Sequence, residues 1–139
     1  MYKIERRFSI AIGHSLSKHP GKCKNVHGHN IHVHVGVKSE KLDGHDMVMD
    51  FSDLKELCDT YLDEWDHSLI LNKVEKDTVD FLTNKGKSVI TLNTDPSAEI
   101  LCKTLYEVIE LELENHPGVQ IDYVSIYENE NSKATYTRG

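Results

Sequence analysis

The chain has 139 residues, 38% of them hydrophobic, and a formal net charge of −7. That length can bury a real core as one domain, 1–139, and the acidic balance argues against general nucleic-acid binding. No run of about eighteen apolar residues is present to span a membrane. The opening Met1–Arg7 lacks the apolar stretch of a leader peptide and reads as a strand from the start. Three cysteines, Cys23, Cys58 and Cys102, form an odd set without paired spacing and fit a reduced, cytoplasmic protein.

In chain order, Tyr2, Ile4, Phe8, Ile10 and Ile12 alternate with Lys3, Glu5, Arg7, Ser9 and Ala11. This predicts a half-buried strand whose apolar parity continues to His14. A loop marked by Pro20-Gly21 follows. From His27 to Val37 the odd positions read His27, His29, Ile31, Val33, Val35 and Val37, a second strand with two histidines leading its apolar face. His32 and His34 fall on the opposite face. Between Arg6 and Ser39 lie six of the 16 basic residues and none of the 23 acidic ones. Such a segment either focuses an anionic small molecule onto the residues within it or is a chance grouping of charges on solvated strand ends.

Phe51, Leu54, Leu57, Cys58, Tyr61, Leu62 and Trp65 have the i, i+3, i+4 spacing of an amphipathic helix, with Asp50 or Ser52 as its cap. A second helix opens at Asp95-Pro96-Ser97, with Asp95 as its cap followed by proline in the first turn, presents Ala98, Leu101, Cys102, Leu105, Val108 and Ile109, and stops before His116-Pro117-Gly118. Two strands near Val119–Glu128 and Ser132–Arg138 close the chain. Segment 68–94 is the least regular, with a short strand near Ser88–Leu92. The expected order is ββααββ, an α+β domain with an antiparallel sheet and two helices on one face.

Residues two apart on a strand point to one side, so His27 and His29 can aim two imidazoles at one point, with His14 as a third. Three neutral imidazoles without an evident fourth protein ligand describe a catalytic zinc site with an open position. Cys23, four residues before His27, is then either the fourth ligand of a closed site or a thiol beside the metal. In a lysine-flanked loop near a dication it is placed to act as nucleophile or base. Asp66-His67, after the first helix, can form a proton-handling unit, although taken alone it is an ordinary dipeptide. Glu99, in the first turn of the second helix, reads by default as a carboxylate complementing the helix dipole. Glu128, ending an apolar strand, sits where pocket floors commonly form.

These elements together resemble the 6-pyruvoyltetrahydropterin synthase / 6-carboxytetrahydropterin synthase family over essentially the whole chain. The resemblance rests on Ile12-Gly13-His14, Cys23-x-x-x-His27-Gly28-His29-Asn30, Met49-Asp50-Phe51, Asp66-His67 with Leu71-Asn72, Pro96-Ser97-x-Glu99, and Glu128. Three residues between the cysteine and the histidine pair are similar to the bacterial 6-carboxytetrahydropterin synthase branch. Two positions depart from the family pattern: Ile12-Gly13 stands for Ala-Ala, and Ile100 for the usual Asn after the helix glutamate.

What the resemblance implies is a tunnel fold (T-fold) assembled as trimers and hexamers with active sites shared between subunits. It implies zinc on His14, His27 and His29, and 7,8-dihydroneopterin triphosphate as substrate on the queuosine route. Cys23, Asp66, His67 and Glu128 would be the proton-moving residues. Glu128 and Glu99 would hold the pterin, and Lys18, Lys22 and Lys24 are candidates for the triphosphate. Rival expectations are 6-pyruvoyltetrahydropterin synthase activity, a GTP cyclohydrolase, for which no specific pattern is evident, and a non-enzymatic zinc-binding assembly protein.

Overall fold

Alternating side chains build the centre of the molecule. In the computed structural model, which describes residues 1–139, β1 (Tyr2–His14) and β2 (His27–Ser39) pair antiparallel along their entire length, from Tyr2 opposite Ser39 to His14 opposite His27. Ile31, Val33, Val35 and Val37 are fully buried on one face of β2. Burying each such side chain contributes about 1.5–3 kcal/mol. His32 and His34 turn to the other face, where Ser9 lies 2.8 Å from His32 Nδ1 and Glu5 lies 3.8 Å from His34.

Helices α1 (Phe51–Trp65) and α3 (Ala98–Glu112) cover the apolar face. Leu54, Cys58, Leu62 and Trp65 of α1 join Leu101, Cys102, Leu105 and Ile109 of α3 in one core with the β2 valines. Asp50 caps α1 by accepting from the Ser52 amide at 2.8 Å, an interaction worth about 1 kcal/mol. Strands β5 (Gln120–Asn129) and β6 (Ser132–Tyr136) follow α3, and β5 pairs antiparallel with β2. At Gly36 the Tyr123 ring lies so close that an added Cβ would run into it. The β2–β5 register shifts immediately after that glycine.

The α+β class agrees with expectation, and segment 68–94 enlarges it. It folds as β3 (Ser68–Asn72), α2 (Lys76–Asn84) and β4 (Val89–Leu92). The six-stranded sheet runs β4-β3-β1-β2-β5-β6, with β3 parallel to both β1 and β4. The sheet is therefore mixed rather than purely antiparallel, and the helices number three rather than two. Ile70 and Leu71 of β3 are both fully buried, so the strand lacks the alternation that identifies a half-exposed one. Helix α2 is only nine residues long and buries none of them completely. The second cap also differs. Ser97, not Asp95, precedes the first helical residue of α3, and its hydroxyl accepts from the Ile100 amide.

Candidate metal centre and its surroundings

His14 closes β1 directly across from His27, which opens β2, and His29 stands opposite Ile12. Their shared parity puts all three imidazoles on one face of the sheet, at its end. The ring centroids are 4.5 Å apart for His14 and His27 and 5.0 Å for the other two pairs, with the rings edge-on to one another. One ligand nitrogen from each lies within 4.8 Å of the others, and no Cys, Asp or Glu joins the group.

The hydrogen bonds decide which nitrogen is free. His14 Nδ1 lies 2.7 Å from the Pro96 carbonyl oxygen, and His27 Nδ1 lies 2.7 Å from that of Asn25. A carbonyl only accepts, so each Nδ1 carries a proton, and in the neutral imidazole Nε2 is the nitrogen with the free lone pair. The buried Nε2 atoms of His14 and His29 have no hydrogen-bond partner in the protein. Buried polar atoms are rarely left unpaired, and two of them facing one point fit a metal ion. Burial pushes the His14 pKa down, outweighing the raising effects of the Pro96 carbonyl and Glu128, which favours the neutral, ligating imidazole.

Glu128 comes from β5, where Val124 and Ile126 set its parity toward the same face. Its two carboxylate oxygens stand 4.0 Å from Nε2 of His14 and 4.0 Å from Nε2 of His29. A cavity of about 400 Å³ adjoins it, lined by Leu16, Ser97, Glu99, Glu128, Lys133 and Thr135 among others. Glu99 and Glu128 thus meet at one cavity although 29 positions separate them in the chain. Lys133 and Thr135 of β6 were not legible as site residues, because nothing in their local pattern distinguishes them from other exposed strand positions.

Cys23 lies in a 3-10 turn, Lys22–Lys24, half-buried, with its carbonyl accepting from the Leu16 amide at 2.8 Å. Of the two sequence readings for Cys23, the ligand-atom cluster lacks the sulfur. Lys22 and Lys24 flank it in that turn, and both are exposed, as is Lys18. Cys58 and Cys102 are buried in the core, and desolvation pushes both thiols up to about 12.

Asp66 and His67 are brought together, and neither joins the histidine cluster. Asp66 Oδ1 accepts from the Ala11 amide at 2.9 Å and lies 2.9 Å from His67 Nδ1. The Ala11 amide, and to a smaller extent His67, holds the Asp66 carboxyl below its usual range. The His67 side chain is 82% exposed and its backbone sits at φ 63°, in the left-handed region. Such a φ costs a β-carbon residue about 1–2 kcal/mol.

The 6-pyruvoyl tetrahydropterin synthase family model matches residues 3–139. The chain is 30% identical over 133 residues to a Rickettsia conorii protein named 6-carboxy-5,6,7,8-tetrahydropterin synthase, covering 94% of this chain and 96% of that one. It is 32% identical over 157 residues to an Aquifex aeolicus protein of the same name, covering 97% of each. Among solved structures, an uncharacterized Wolinella succinogenes protein superposes with a TM-score of 0.82 at 21% identity, covering 99% of this chain and 98% of that one. The Caenorhabditis elegans 6-pyruvoyl tetrahydropterin synthase gives 0.72 at 24% identity, covering 99% and 96%. These likenesses establish the subunit fold as the T-fold. With a family match across nearly its full length, the chain belongs to the 6-pyruvoyl tetrahydropterin synthase family.

Proposed function

We propose that this protein is a zinc-dependent 6-carboxy-5,6,7,8-tetrahydropterin synthase, a lyase converting 7,8-dihydroneopterin triphosphate and water to 6-carboxytetrahydropterin, acetaldehyde and triphosphate. The observation that carries the reading is the pair of buried, unpartnered Nε2 atoms on His14 and His29 facing Glu128. The spacing of Cys23 from His27, and relatives named for the 6-carboxy reaction, favour this branch of the family.

Zinc held by His14, His27 and His29 would supply Lewis-acid polarisation of the substrate's side-chain hydroxyls. Glu128, beside that site and on the cavity wall, accepts from the adjacent N–H groups of the pterin, a match that needs both carboxylate oxygens. Glu99 closes the same cavity. Cys23 serves as the base at the side-chain carbon next to the ring. His67, oriented by Asp66, handles the second proton. Because His67 faces solvent, it would serve the site of a neighbouring copy in a trimer or hexamer. Lys22 and Lys24 offer positive charge to the triphosphate from the turn that holds Cys23. The compartment we propose is the cytoplasm, where Cys23 stays reduced; no helix is long and apolar enough to cross a membrane.

Incubation of zinc-loaded protein with 7,8-dihydroneopterin triphosphate tests the reading. The expected products are acetaldehyde and the 6-carboxy compound. Triphosphate released without acetaldehyde would assign the 6-pyruvoyl reaction, the one for which the matching family is named. Zinc bound tightly with no turnover of any dihydropterin would leave a non-enzymatic metal-binding protein.

A further inference from the structure

We infer that Asp95 is a positioning residue that holds the Cys23 loop in place against the histidine cluster. The inference rests on the reading of Cys23 as chemically active. Residues 15–26 leave β1 just after His14 and return as β2 at His27, so metal-ligating candidates stand at both ends of the loop and Cys23 lies within it. A loop with one short turn of its own has few contacts to order it and must be pinned from outside.

Asp95 supplies most of that pinning. Ser17 Oγ donates to its Oδ1 at 2.6 Å, and the Lys18 amide donates to its Oδ2 at 2.9 Å. From β3, the buried Asn72 donates Nδ2 to Oδ1 at 2.9 Å. Inside the loop, the Leu16 amide donates to the Cys23 carbonyl at 2.8 Å, which carries the constraint on Ser17 and Lys18 to the thiol-bearing turn. The residue after Asp95 is Pro96, whose carbonyl orients His14. Asp95 therefore joins the outer pin of the loop to the backbone that aligns a metal ligand. It hydrogen-bonds none of the histidines and does not line the cavity, so its action is through these neighbours. A second carboxylate, Glu75, accepts from Ser15 Oγ at 2.7 Å and reinforces the start of the loop.

Ser17 Oγ, Asn72 Nδ2 and the Lys18 amide all converge on the Asp95 carboxylate, and only a carboxylate can accept from all of them. In Asp95→Asn the amide NH2 must face either the Lys18 amide or the Asn72 Nδ2, donor against donor. The test uses the metal-loaded full chain and measures alkylation of Cys23 by iodoacetamide across pH. Cys58 and Cys102 are buried, so the reagent reads Cys23 alone under native conditions. In D95N, alkylation should accelerate about fivefold as the loop opens more often, with Asp95→Glu restoring part of the protection. With dihydropterin triphosphate as substrate, kcat should fall about tenfold while KM moves less, the pattern of a displaced reacting group. A wild-type alkylation rate in D95N, even with a lowered Tm, would make Asp95 a plain structural brace and overturn the inference. Should D95N fail to fold, Ser17→Ala removes a single donor and carries the same test, an unchanged alkylation rate again overturning it. Wild-type protein without pterin turnover would sink the proposed function, whereas the alkylation comparison is read independently of any substrate.

Discussion

His14 Nδ1 lies 2.7 Å from the carbonyl oxygen of Pro96, a residue 82 positions further along the chain. That contact sets the tautomer of the most buried histidine and aims its Nε2 at His29 and Glu128. An imidazole with its other nitrogen donating to a fixed acceptor is the usual state of a metal ligand.

The metal assignment separates two classes of mutant. His29→Ala should lose most bound zinc, because one of three imidazoles is gone. Cys23→Ala should keep about one zinc per chain and lose turnover, since the sulfur lies outside the nitrogen cluster. Elemental analysis of both purified variants decides the matter. Full zinc in H29A would refute the ligand set, and zinc loss in C23A equal to that in H29A would make Cys23 the fourth ligand.

Glu128→Gln keeps the shape of the cavity wall and replaces one acceptor by a donor. Against the adjacent N–H groups of a pterin this leaves a buried group unpaired, at about 1–3 kcal/mol. Affinity for a dihydropterin ligand should drop at least about tenfold, at 1.4 kcal/mol per decade, while zinc content and assembly size stay unchanged. Calorimetry showing wild-type affinity would mean that Glu128 does not read the ring.

His67→Gly should uncouple stability from activity. Glycine relieves the left-handed backbone at φ 63°, offset in part by the greater freedom of the unfolded chain. The Tm should hold or rise, and turnover should fall with the loss of the imidazole. A destabilised variant with full activity would show that His67 is retained for the turn and not for proton transfer.

Acid sensitivity should trace to Asp95. Desolvation is the largest influence on its carboxyl and acts upward, but the donors from Ser17, Asn72 and the Lys18 and Ser17 amides together hold it down to about 2. A depressed carboxylate contributes stability above its unfolded pKa, near 3.8, and loses it as pH falls toward the folded value. The difference in urea midpoint between wild type and D95N should stay constant from pH 7 to about 4.5 and shrink below that. A gap independent of pH would mean that the ionised form is not what stabilises the loop.

The tail of strand β5 and the opening of β2 show how far local pattern reaches. Alternation by itself determined the faces of β1 and β2, and so the shared orientation of His14, His27 and His29, because side-chain direction in a regular strand has a period of two. In β5 the register shifts, and the folded sheet was needed to turn Glu128 to the same face. The residues of α1 and α3 were equally legible from their apolar spacing. Segment 68–94 was not. Strand β3 is buried on both sides and shows no alternation, and α2 is only nine residues long with none of them fully buried. Asp95 read as a helix cap because its neighbours Pro96 and Ser97 suit a helix start. Only the folded chain brings Ser17, Lys18 and Asn72 to its carboxylate and His14 to the Pro96 carbonyl. Those partners are 23 to 82 residues apart in sequence, and hydrogen bonds at such separations follow from how the strands are ordered in the sheet, which no local periodicity encodes.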